Sequence, residues 1–130
     1  MEFTFPAFSA DGRLVSLTDV LGHVRGERWE WRLLDFEGTA LPGSTLDAVA
    51  LERRLRAGTQ CVELRFEALL RLAGQMDQPI NLALVASPPG DPATRALTIE
   101  TRDSTDWRVT ADDATPEALD DARRIADSVR

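Results

Sequence analysis

The chain has no lysine and no tyrosine, and only one histidine (His23) and one cysteine (Cys61). Each absence removes a class of chemistry. A single cysteine permits no internal disulfide, and one histidine with one cysteine does not make a Cys/His zinc set. Without lysine there is no Walker A phosphate site and no Schiff base; without tyrosine there is no phenolic proton donor. Long apolar runs are missing too, since nothing approaches the roughly 20 residues of a membrane span. Met1 to Pro6 lacks the basic and apolar regions of a signal peptide, so a soluble cytoplasmic protein is expected. Basic charge is also in deficit: fifteen arginines face twenty-two acids, for a formal net charge of −7. Such a chain does not neutralise phosphates, which argues against nucleic acid as a partner. Nothing in the residue set implies a cofactor.

What is present suits one globular domain over residues 1–130, with 43% hydrophobic and 28% charged residues. A chain of this length buries roughly two thirds of its unfolded surface, enough for one core without staples. Phe3 and Phe5 alternate with polar neighbours as a half-buried strand does, and Pro6 places that strand at a sheet edge or ends it. Asp11-Gly12 signals a hairpin, with Arg13 to Leu17 as the returning strand; Thr18 to Val24 reads as a helical turn or a loop. Trp29, Trp31 and Leu33 share one face of the clearest strand, with Arg28, Glu30 and Arg32 on the other. Phe36 is in phase with Leu34 rather than Leu33, which predicts a bulge there.

Ser44-Thr45 is a capping signal for a helix through Leu51 and Leu55 that Gly58 stops. A second helix is predicted over about Glu63 to Asp77, although Val62 to Phe66 also suits a strand. Ile80 to Ala86 is nearly all apolar and reads as a central strand buried on both faces. Leu97, Ile99 and Thr101 alternate into the turn Asp103 to Asp106, and Trp107 and Val109 continue as a hairpin partner. Thr115 with Pro116 marks the start of a last helix, with Leu119, Ala122, Ala126 and Val129 inward and an Asp120–Arg124 pair outside. The order of elements predicts an α+β fold, a mainly antiparallel sheet packed against about three helices.

Asp103, Asp106, Asp112 and Asp113 form the densest acidic grouping. They lack the alternating ligands, central glycine and terminal glutamate of an EF-hand loop, so turn and helix-flanking charge explains them better than a metal. No serine sits in a nucleophile elbow, and without a glycan-binding groove or a fixed spacing any pair drawn from the twenty-two acids is arbitrary, so no catalytic residues are assigned. Trp29, Trp31 and Trp107 read first as core, and as interface anchors if the face they share is open.

The run Ile99-Glu100-x-x-Asp103-Ser104-Thr105-Asp106-Trp107, behind a Trp-rich strand and a Leu-rich helix, resembles small acidic bacterial proteins. Some of these act as immunity partners of toxins. The resemblance carries no site residues with it. It implies a non-catalytic protein-binding module, an inhibitor whose acidic surface neutralises a basic toxin. Asp103, Asp106, Asp112, Asp113 and Trp107 are the candidate partner contacts. Two alternatives stand beside it: a small-molecule-binding or enzymatic domain with a pocket between sheet and helices, and a structural subunit of a homodimer.

Overall fold

Apolar residues at every second position build a six-stranded antiparallel sheet, seen in a computed structural model that describes residues 1–57 and 61–129. Its strands are β1 (Glu2–Pro6), β2 (Glu30–Ala40), β3 (Val62–Leu64), β4 (Met76–Ser87), β5 (Leu97–Arg102) and β6 (Asp106–Ala111). They lie in the order β1-β6-β5-β4-β2-β3. The helices are α1 (Leu17–Leu21), α2 (Ala48–Arg56), α3 (Phe66–Gln75) and α4 (Pro116–Ser128), with a single 3-10 turn at Gly26–Arg28. This is an α+β fold.

All four helices feed one core on one side of the sheet: Leu17, Val20 and Leu21 from α1, Leu55 from α2, Phe66, Leu69 and Ala73 from α3, and Ala118, Ala122 and Ile125 from α4. The sheet supplies Phe5, Trp31, Leu33, Phe36, Leu82, Leu84, Leu97, Ile99, Trp107 and Val109. The tryptophans lie in the core, and their indole N–H groups find acceptors, as buried ones do. Trp31 Nε1 donates to Gly26 O (2.9 Å) and Trp107 Nε1 to Val15 O (2.9 Å). The predicted bulge is present: the β2–β4 register shifts between Leu33 and Asp35, which returns Phe36 to the buried face. β4 is central, and Leu82 to Ser87 are all buried.

Several boundaries differ from the sequence expectation. Arg13 to Leu17 is no strand, and only an isolated Phe8–Leu14 bridge closes the hairpin. Ser16 instead caps α1: its hydroxyl accepts from Asp19 N (3.1 Å) while Asp19 Oδ2 accepts from Ser16 N (2.9 Å). The cap of α2 is Asp47, which accepts from Ala50 N at 2.9 Å, rather than Ser44 or Thr45. Gly58 lies outside the described residues. The Glu63–Asp77 helix is shorter, because Val62–Leu64 pairs with β2 and Met76 already belongs to β4. In α4 the expected Ala122 and Ala126 are buried, together with Ala118, Asp121 and Ile125, while Leu119 and Val129 are half-buried against the core.

Candidate partner-binding face

Alternation has a second consequence. The residues between the core positions form the opposite face of the sheet, and among the described residues no helix packs on it. Side chains there run in rows across the strands. One row is Glu2, Thr110, Thr98, Val85, Arg32 and Glu63; the next is Thr4, Arg108, Glu100, Ala83 and Asp35. Glu30, Glu37, Arg102 and Asp106 complete it. Seven carboxylates thus share the face with the guanidinium groups of Arg32, Arg102 and Arg108.

The second row and its rim form a continuous ladder of charge. Arg108 lies between Glu2 (3.6 Å) and Glu100 (3.9 Å), and Arg102 between Glu100 (3.9 Å) and Asp35 (2.7 Å). These are partly exposed cross-strand pairs, each contributing a few tenths of a kcal/mol to about 1 kcal/mol. They position the side chains more than they stabilise the fold. Arg32 is held by Ser87 Oγ (3.2 Å) and by Pro92 O (2.8 Å), and Glu30 accepts from Gly90 N (3.3 Å). The proline-rich loop therefore folds back over one end of the face. Arg56, from α2, reaches Glu37 at 3.3 Å, and Asn81 Nδ2 donates to the same carboxylate at 3.1 Å.

The five residues singled out in the sequence do not form one site. Asp103 and Asp106 lie at the β5–β6 turn, on the rim of the open face, where Asp103 N donates to Asn81 Oδ1 (3.1 Å). Asp112 and Asp113 lie at the other end of β6, about 20 Å away at the usual rise per strand residue. Asp112 accepts from Ala114 N (3.2 Å) and Thr115 Oγ1 (3.0 Å), a turn before α4, and Asp113 pairs with the Met1 amine (2.9 Å). Trp107 is only 1% exposed and belongs to the core rather than to any contact surface. Arg28, placed in the sequence on the wet side of β2, sits in the 3-10 turn, its guanidinium 6.0 Å from the centre of the Trp29 ring. Of the open face, the sequence names Glu30 and Arg32 as the outer side of β2 and Asp106 as a candidate contact, while Glu2, Asp35, Glu37, Glu63, Glu100, Arg102 and Arg108 are not among its candidates. Their signal is period-two polarity in β2, β5 and β6, which shows a shared face only once the strand order is known.

A second feature is a groove of about 790 Å³ between the Phe8–Leu14 hairpin, α1 and the end of α4. Phe8, 47% exposed, forms part of its apolar wall with Pro6, Leu14 and Val129, while Asp11, Asp19 and His23 line its polar side. The Asp11 carboxyl is held below its ordinary range, first by the Ser9 hydroxyl and then by the Arg13 backbone N–H. Cys61 is half-buried. Among the described residues no group of three His, Cys, Asp or Glu side chains is arranged to hold a metal ion, and no helix is long and apolar enough to cross a membrane. Comparison with protein-family models, with curated proteins and with solved structures gives no match.

Proposed function

We propose that this chain is a non-catalytic, cytoplasmic protein-binding module that meets a basic partner through the open face of its sheet, with neutralisation of a basic toxin as the most specific form. The observation that supports it is the excess of carboxylates over guanidinium groups on a face that no helix covers among the described residues. Opposed charge across an interface raises the encounter rate and sets orientation. The ladder of ion pairs keeps the side chains in place before a partner arrives, which lowers the ordering cost of association. Asp103 and Asp106 belong to this surface as rim residues; Asp112 and Asp113 serve the turn before α4 and the chain start instead.

Capture from the native host, followed by association kinetics at two salt concentrations, tests the proposal. A Glu30→Arg/Asp106→Arg variant should associate more slowly with the captured partner and show a flatter salt dependence. Its unfolding free energy should stay within about 1 kcal/mol of the parent, as for surface changes. A partner whose on-rate ignores both salt and the reversal contradicts the proposal. The exposed Phe8 beside the hairpin groove favours a second reading, a small-molecule site. Ligand-induced protection confined to Phe8, Leu14 and His23, with no protein partner captured, is the result that supports it.

A further inference from the structure

The outer side of α2 runs against the acidic character of the chain. Val49, Ala50, Arg53 and Arg54 are exposed there, while Leu55 faces the core. Arg56 is engaged by Glu52 (2.8 Å) and Glu37 (3.3 Å), but Arg53 and Arg54 make no ion pair among the described residues. Cations in the last turn suit the negative end of the helix dipole, and that alone accounts for basic residues at this position. It does not account for Val49, which at 59% is the most exposed large hydrophobic side chain among the described residues. Arginine beside bare apolar surface is the composition of an interface centre.

The partner of such a surface is acidic, and the open sheet face is acidic too: Glu63 of β3 and Asp35 and Glu37 of β2 lie on it toward the edge nearest α2. The Arg56–Glu37 contact places α2 at the rim of this face. In an arrangement with a two-fold axis beside the β2–β3 edge, the α2 of each copy would lie against the face of the other and the contact would close on itself.

We propose that the chain forms a weak, salt-sensitive homodimer in which α2 of one copy occupies the acidic sheet face of the other, so that a basic partner binds by displacing it. The proposal rests on the face being a docking surface. Sedimentation velocity over a range of concentrations tests it. The 14.3 kDa monomer mass should double at low salt and return as salt is added. Arg53→Glu/Arg54→Glu should be monomeric at every concentration, with an unchanged circular dichroism spectrum. A wild-type chain that stays monomeric at low salt, or a dimer indifferent to the α2 reversal, overturns self-docking. If a captured partner still depends on Glu30 and Asp106 in that case, the face keeps its role and only its occupancy by α2 is wrong.

Discussion

Asp121 has no exposed surface, and its carboxylate accepts from the Trp29 indole N–H at 3.0 Å and from the Arg25 backbone N–H at 3.4 Å. It ties α4 to the chain entering β2. Such a group is best understood through what its loss leaves behind, because an orphaned buried donor costs more than the bond was worth. Asp121→Ala should therefore lower the unfolding free energy by about 1–3 kcal/mol in denaturant melts, and Asp121→Asn, which keeps a carbonyl acceptor, should lose less. Trp31→Ala removes a ring that is 1% exposed and should cost about 3–5 kcal/mol through lost transfer and an unfilled cavity. Asp11 differs from both, because it is exposed. Its lowered pKa means that the stability it contributes is present above its unfolded value and is lost as pH falls through the folded one. A carbon-detected NMR titration should place its midpoint below the ordinary 3.8.

The 3-10 turn, α3 and β2 meet at a single close contact. A Cβ built on Gly26 would lie 2.1 Å from the Phe66 ring, and that ring stacks on Trp31 with centroids 5.9 Å apart. Trp31 in turn donates to Gly26 O. Gly26→Ala should accordingly displace Phe66 and cost about 1–3 kcal/mol by overpacking; a melt matching wild type would show that α3 shifts freely. None of this is visible in the sequence, because the clash is with a side chain forty positions away. What was legible obeys local rules. The bulge after Leu33 follows from the phase of Phe36, the buried β4 from Ile80 to Ala86, and the start of α4 from Thr115 and Pro116. The strand expected at Arg13 to Leu17 does not form, because a capping box at Ser16 and Asp19 overrides the alternation. In α4 the inward Ala122 and Ala126 follow from helical spacing, whereas the inward Asp121 does not, because a polar residue enters the core only to meet Trp29.

At the scale of the molecule, the helices cover one side of the sheet and leave the other to a lattice of acids and arginines. This explains why the acidic grouping seen in the sequence divided in space: Asp103 and Asp106 join the face, while Asp112 and Asp113 end up beyond the far end of β6. It also explains how a chain of net charge −7 presents both an acidic sheet and a basic helix. Their different salt responses separate fold from function. The ion-pair ladder contributes little to stability, so melting should change little with added salt, whereas binding to the face should weaken steeply. The most direct test is a titration of the isotope-labelled chain with an arginine-rich peptide, read by amide shifts at low and at high salt. If the open face is the docking surface, the shifts fall on Asp35, Thr98, Glu100, Arg108 and Thr110 and vanish as salt is added. Shifts confined to Phe8, Leu14 and His23 in the hairpin groove, or none at low salt, would contradict it.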